Sequence, residues 1–339
     1  MGPVADPGIQ SRRADEQSVR VAVVQDAPVV MDRERCLDKV ADLAADAARQ
    51  GAKLVLFPEA FVSGYPRGLD FGAVVGARSP EGREQFRLYW ESAVEAQGSA
   101  GDRLSKIARQ HRIFLVVGVI EREGGTLYCS VFFYDESGRF LGKHRKLMPT
   151  GSERLIWGFG DGSTLPVFDT TFGRVGAVIC WENYMPLLRQ TMYAKGIQIY
   201  CAPTADARDV WAPSMRHIAL EGRCFVLSAN QFIRRGSYPK DYVTSFGDDP
   251  ETVFSPGGSC IVGPLGQMLA EPNFEGPAIL IADLDLRDCV RGKFDFDVVG
   301  HYARPDIFKL TVNGAQARSV SFSNTGLSTS SEGTEHAET

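Results

Sequence analysis

Apolar positions along the chain follow two rhythms. In one, runs of about four to eight aliphatic and β-branched residues stand together and stop at a polar residue or proline. Residues 19–24, 54–57, 113–120, 127–134, 175–179, 197–201, 224–229, 259–262 and 278–284 read this way and predict strands, and 139–145 reads as the strand that returns from 127–134. In the other, apolar positions recur every three or four residues: Leu37, Val40, Leu43, Ala44 and Ala47 follow Asp32, a candidate N-cap, until Gly51 stops the pattern. Further helices are predicted over 101–111, 186–195 and 212–222, and Glu136-Ser137-Gly138 marks the turn of a hairpin. Continuous apolar strands are buried on both faces and need helices over them, so the pattern predicts a layered α/β architecture. Hairpins mixed with crossovers predict a mixed sheet, or two sheets packed together.

No tandem repeat and no Gly/Pro/Ser-rich linker interrupts residues 19–310, which predicts one domain. Residues 1–18 and 311–339 are polar and read as a disordered N-terminal tail and a low-complexity C-terminal tail. Composition narrows the partners. Across 339 residues, 37 Lys and Arg stand against 42 Asp and Glu, a net charge of −5. With no long basic block, this argues against nucleic acid or an anionic membrane surface. No run approaches the ~18 apolar residues of a membrane span. The 7 cysteines are odd in number and show no CxxC spacing, and the first residues lack an apolar signal segment. The expectation is a cytoplasmic protein with free thiols.

Several chemistries leave no mark: there is no GxxxxGK[ST] loop, no GxSxG elbow, no HExxH and no His/Cys cluster at zinc spacing. What remains is a trio at strand exits. Glu59 follows residues 54–57 and Pro58, Lys146 follows the second hairpin strand, and Cys180 follows 174–179. The rim where strands end is where loops converge on ligands. A thiol suits attack on an unsaturated carbon, a nearby ammonium lowers its pKa and stabilises developing negative charge, and a carboxylate can take the thiol proton and then activate water. Cys36, Cys129, Cys201, Cys224, Cys260 and Cys289 read as core thiols, and His217, at helical spacing with Leu220, as a packed or capping histidine.

With these residues in view, Cys180-Trp181-Glu182-Asn183-Tyr184-Met185-Pro186-Leu187 resembles the nucleophile motif of the nitrilases in the carbon–nitrogen hydrolase superfamily, where related amidases carry Cys-Tyr-Asp. Phe57-Pro58-Glu59-Ala60-Phe61 resembles the family's glutamate motif and His144-Arg145-Lys146-Leu147-Met148-Pro149-Thr150 its lysine motif. Glu153-Arg154, residues 157–163 and residues 300–306 continue the likeness, which covers roughly 19–310. Residues 64–68, 192–196, 200–206 and 293–300 are similar to plant-type nitrilases acting on β-cyanoalanine or arylaliphatic nitriles, whereas 234–257 departs from them.

The resemblance implies an αββα sandwich that pairs across subunits into an αββαββα core and extends into a spiral or helical filament. It places the nucleophile on Cys180, the base on Glu59, the catalytic lysine on Lys146 and a second glutamate on Glu153, with no metal or organic cofactor. The implied reaction takes a small-molecule nitrile and water to a carboxylic acid and ammonia, with some amide by-product. Tyr65, Thr150, Trp181, Pro203 and Trp211 lie in or near rim loops and are candidate substrate contacts, Trp211 equally a core or interface aromatic. The competing readings are an amidase or carbamoyl hydrolase using the same Glu, Lys and Cys, and a non-catalytic filament scaffold.

Overall fold

A computed structural model describes residues 18–318 and 320. Apart from Ser18, which opens the first strand, the predicted N-terminal tail lies outside the described residues, as do residues 319 and 321–339 of the C-terminal one. Strands β1 (Ser18–Gln25), β2 (Leu54–Leu56), β3 (Phe114–Glu123), β4 (Thr126–Tyr134) and β5 (Phe140–Arg145) are followed by β6 (Val167–Thr170), β7 (Gly173–Ala177), β8 (Ile199–Thr204) and β9 (Phe225–Asn230). A short pair, β10 (Phe232–Arg234) and β11 (Val253–Pro256), precedes β12 (Ser259–Val262) and β13 (Met268–Asn273), and β14 (Ala278–Asp285) returns to the beginning. Two six-stranded sheets result, ordered β14-β1-β2-β3-β4-β5 and β6-β7-β8-β9-β12-β13.

The two sheets share one plan. Each has a parallel centre, β1-β2-β3 or β7-β8-β9, with an antiparallel strand on one side and an antiparallel pair on the other. Helices α1 (Arg33–Arg49) and α3 (Ser99–His111) cover the first sheet, and α4 (Pro186–Ala194) and α5 (Trp211–Gly222) the second. The alternation of strand side chains explains the layering. Leu127, Cys129, Val131 and Phe133 of β4 face Val175, Ala177, Ile199, Cys201 and Leu227 in a core between the sheets, while Leu115, Val117 and Val119 of β3 pack under α1 and α3. The αββα sandwich is therefore the fold.

Local chemistry sets the helix starts. The Asp32 carboxylate accepts the Arg35 N–H at the head of α1. Helix α2 (Pro80–Ser92), absent from the pattern-based reading, starts at the Ser79 hydroxyl, which accepts the Gly82 N–H, with Pro80 at the first helical position. Short α6 (Arg287–Lys293) was also not predicted, nor were β6, β10, β11 and β13. Residues 311–318 form no helix or strand and run past the 161–162 loop, where the Ala317 N–H donates to Asp161 at 2.7 Å.

Candidate active site

Glu59 leaves the carboxyl end of β2 through Pro58, and the backbone turns hard there, with Ala60 at φ 50° and Ser63 at φ 85°. Gly118 of β3 lies directly beneath: a Cβ at that position would sit 2.1 Å from the Pro58 carbonyl oxygen and 2.8 Å from the Glu59 Cα. The Gln231 side-chain amide donates to the Glu59 carbonyl at 2.8 Å and pins the turn from the other sheet. The Glu59 carboxylate is wholly buried. Its Oε1 accepts Lys146 Nζ at 2.7 Å and the Cys129 thiol at 3.4 Å, while Oε2 is buried with no hydrogen-bond partner among the described residues. Burial pushes this carboxyl up, the Glu153 charge adds to the rise, and Lys146 opposes it.

Lys146 follows β5, held to β4 by its N–H donating to the Cys129 carbonyl at 2.8 Å. Its ammonium bridges Glu59 and Glu153 Oε2, the latter at 2.8 Å, and lies 5.7 Å from the centre of the Trp157 ring. Burial works to discharge the lysine, but the Glu59 and Glu153 charges overcome it and raise Lys146 well above its ordinary value. Glu153 stands in the short turn Gly151–Leu155, where its Oε2 also accepts the Thr150 N–H at 2.6 Å and its Oε1 accepts the Tyr65 hydroxyl at 2.6 Å.

Cys180 follows β7 across Val178 and Ile179 and opens the turn Cys180–Tyr184 at φ 51°, a left-handed conformation that costs a non-glycine residue about 1–3 kcal/mol. Asn183 Nδ2 holds the turn by donating to the carbonyls of Val178 at 2.9 Å and Cys180 at 2.7 Å. The Thr204 hydroxyl, at the end of β8, donates to Cys180 Sγ at 3.2 Å. The sequence suggested that the lysine would lower this thiol's pKa. Lys146 and Thr204 do pull it down, yet burial and the Glu59 charge dominate and push it up to about 12. Without substrate the sulfur keeps its proton, and a base has to remove it as a bond forms.

Glu59, Lys146, Glu153 and Tyr65 therefore form one hydrogen-bonded cluster, and the charges of Glu59, Lys146 and Glu153 act on Cys180. Trp181 sits half-exposed on the rim, donating to Asp206 at 2.9 Å with the Arg208 guanidinium stacked on its ring. Thr150 enters through its backbone, and Pro203 is buried in β8 just before Thr204. Trp211, the first residue of α5, is buried in the core under the second sheet's helices with its indole N–H donating to Ser228 at 2.8 Å, and its ring meets Tyr184, which in turn meets Trp181. His217 is exposed on α5, not packed.

Thr204, Gln231, Cys129 and Trp157 were missed. Thr204 alone carried a readable signal, as another polar residue ending a buried strand. A cleft of about 260 Å³, lined by Tyr65, Arg67, Phe71, Glu153, Leu155 and Ile156, adjoins the cluster. A larger one of about 430 Å³ near Met31, Leu88 and Tyr242 lies away from these charges. Among the described residues no group of three or more His, Cys, Asp or Glu is placed to hold a metal ion, and no helix is long and apolar enough to cross a membrane.

Residues 20–294 match the carbon-nitrogen hydrolase family. A bifunctional nitrilase/nitrile hydratase of Nicotiana tabacum is 57% identical over 312 residues, covering 91% of this chain and 90% of that protein. A nitrilase of Bradyrhizobium diazoefficiens is 58% identical over 302 residues, covering 89% and 94%. Among solved structures, an amidase from Nesterenkonia superposes with a TM-score of 0.61 at 26% identity, over 82% of this chain and 95% of that one. Another solved form of that amidase, at the same TM-score of 0.61 and 26% identity over 80% and 92%, carries the acetamide moiety of fluoroacetamide covalently added at its active-site cysteine.

Proposed function

The chain belongs to the carbon–nitrogen hydrolase family, and from that membership we propose that it is a nitrilase converting an organic nitrile to the carboxylic acid and ammonia, with Cys180 as nucleophile, Glu59 as base and Lys146 as acid. The observation that carries the reading is the unpartnered Glu59 Oε2 in a buried cluster with Lys146, whose charges act on the protonated thiol of Cys180. Glu59 takes the thiol proton as sulfur bonds to the nitrile carbon; a C≡N π pair moves to nitrogen, which takes a proton from Lys146, giving a thioimidate. Glu59 passes the thiol proton on to the now neutral Lys146, then draws a proton from water as the water oxygen adds to that carbon and Lys146 protonates the nitrogen again. Departure of protonated nitrogen as ammonia leaves a thioester, and a second water releases the acid and restores the thiol. Expulsion of sulfur in place of ammonia yields the amide instead. Glu153, with Thr150 and Tyr65 on its oxygens, holds the lysine and tunes which group leaves.

β-Cyanoalanine and arylaliphatic nitriles are the proposed substrates, with Tyr65, Thr150, Trp181 and Pro203 near the approach. The protein is further proposed to work in the cytoplasm as a dimer that extends into a helical filament. Exposed Phe294, Ile307 and Phe308 supply apolar surface for such contacts, and light scattering with negative-stain microscopy would test it. The test of function is ammonia release from paired nitriles and amides, with acid and amide quantified, beside intact mass spectrometry with a slow nitrile. The expected result is nitrile turnover with an adduct on Cys180 that Cys180→Ala abolishes. Faster release from amides than nitriles would make the protein an amidase, and no release from either would leave the scaffold reading.

A further inference from the structure

Between the lysine strand and the cysteine turn lies a second buried charged pair that the mechanism above does not use. His144 is the one residue of β5 withdrawn fully from solvent, and its side chain and that of Glu182 both have no exposed surface. The ring's Nδ1 is 2.6 Å from the Thr164 carbonyl oxygen and its Nε2 is 2.9 Å from Glu182 Oε2. A carbonyl oxygen can only accept, and so can an ionised carboxylate, so both ring nitrogens must donate. The Glu182 carboxylate gathers backbone donors as well: Oε2 accepts the Ile179 N–H at 3.0 Å and Oε1 the Leu147 N–H at 2.6 Å. One carboxylate thus grips the residue before Cys180 and the residue after Lys146.

Resting on the nitrilase reading, we propose that His144 and Glu182 are positioning residues: an imidazolium–carboxylate clamp that ties the exit of β5 to the exit of β7 and so fixes Lys146 against Cys180. The groups facing the ring are the Glu182 carboxylate and the Thr164 carbonyl. Lys143 and Arg145, the charged neighbours on the same strand, turn to the other side and pair with Glu121, and Lys146 is committed to Glu59 and Glu153. Burial works against the imidazolium, but Glu182 and the Thr164 carbonyl overcome it, so the His144 pKa is raised. The clamp joins the two sheets beside the catalytic elements: Lys146 follows β5 of the first sheet and Cys180 follows β7 of the second. A neutral amide in place of Glu182 cannot accept at both ends, so one of the Leu147 and Ile179 amides would lose its partner.

The test compares the full-length parent with Glu182→Gln and His144→Gln. Active sites are counted by alkylation of Cys180, and folding is checked by circular dichroism. Displacement of a reacting group by about 1 Å costs roughly 100-fold, and a loss of that order is expected in kcat and in the single-turnover rate of adduct formation, with KM within about threefold of the parent. Iodoacetamide, which needs no nitrile chemistry, should also alkylate Cys180 at least about tenfold more slowly in the variants. A merely structural pair would lower the melting temperature and the fraction of active sites but leave kcat per site intact, and that result overturns the proposal. If neither variant folds, the parent decides. In ¹⁵N-histidine spectra followed through a pH titration, one of the five rings should keep both nitrogens protonated to higher pH than exposed histidines do, and five rings that all lose the proton in the ordinary histidine range would sink the clamp. A parent that forms no nitrile adduct defeats the nitrilase reading, while the alkylation and ¹⁵N measurements still judge the clamp.

Discussion

Replacing Lys146 with methionine keeps the length of the side chain and removes its charge, and the buried cluster should then hold two unpaired carboxylates. Lys146 Nζ lies 2.7 Å from Glu59 Oε1 and 2.8 Å from Glu153 Oε2. At an effective dielectric of about 20, each contact carries roughly 6 kcal/mol of attraction before desolvation. Most of that is offset by taking three charges out of water, and removing one partner of a buried pair typically costs about 3–5 kcal/mol. Urea denaturation near pH 8 should show Lys146→Met destabilised by about that amount. The pH dependence has a definite sign. Without the ammonium, the Glu59 carboxyl, already raised by burial, rises further above its unfolded value of about 4.3. A group raised in the folded state contributes stability below its unfolded pKa and loses it as pH rises through the folded value. The deficit should therefore be smallest near pH 5 and widen toward pH 8, with nitrile turnover lost at both. A deficit that does not change with pH, or one under about 1 kcal/mol near pH 8, would refute the view that this ammonium holds two ionised carboxylates together.

Gly118→Ala should drive a Cβ toward the Pro58 carbonyl at 2.1 Å and displace Glu59; kcat is expected to fall by at least about tenfold, measured beside the melting temperature, and unchanged kinetics would show that the turn tolerates the shift. Cys129→Ala removes a donor from Glu59 Oε1, worth about 0.5–1.5 kcal/mol and so roughly a two- to tenfold loss in kcat/KM, which Cys129→Ser should largely restore. Because the Cys180 pKa is about 12, its alkylation by iodoacetamide should keep climbing from neutral pH through about pH 9. A plateau near neutrality would mean a thiolate is already present.

Two of the strand exits were legible because a buried strand is a continuous apolar run, and the pattern breaks sharply at Pro58-Glu59 and at Cys180; Lys146 ends the basic stretch 143–146, and its exit was legible from the hairpin. The layering was legible for the same reason. Helix α2 was not, because only Gly82, Tyr89 and Ser92 of its residues are buried, and the partly covered Phe86 and Trp90 extend its apolar stripe over just its second half. Strand β6 lacks any fully buried residue, which left it without the run that reveals its neighbours. Cys129 was readable as a core thiol from its place with Leu127, Val131 and Phe133 on one face of β4. Its meeting with Glu59 was not readable, since 70 residues separate the two and only the pairing of β3 with β2 and β4 brings them together. His217 failed for the opposite reason: helical spacing gave the helix correctly but not which side of it faces water.

The repeated plan of the two sheets explains why chemistry gathers where it does. In the proposed mechanism acid and base come from one sheet, through Lys146 after β5 and Glu59 after β2; the proposed nucleophile and its hydroxyl partner come from the other, through Cys180 after β7 and Thr204 at the end of β8. Neither sheet holds a complete site, so reactivity depends on their relative placement. That placement is fixed by the shared core of side chains from β4, β7, β8 and β9, by Gln231 reaching from the end of β9 to the Glu59 carbonyl, and by Glu182 reaching from the cysteine turn to the Leu147 amide. The two cross-sheet hydrogen bonds act next to the reacting residues, where a close-packed core alone would leave rotamer freedom in long side chains such as Lys146 and Glu59. Buried charge at this seam costs stability that a hydrophobic seam would not. What it supplies in return, on the proposed mechanism, is a proton acceptor and a proton donor joined in one hydrogen-bonded pair whose charges act on the Cys180 thiol.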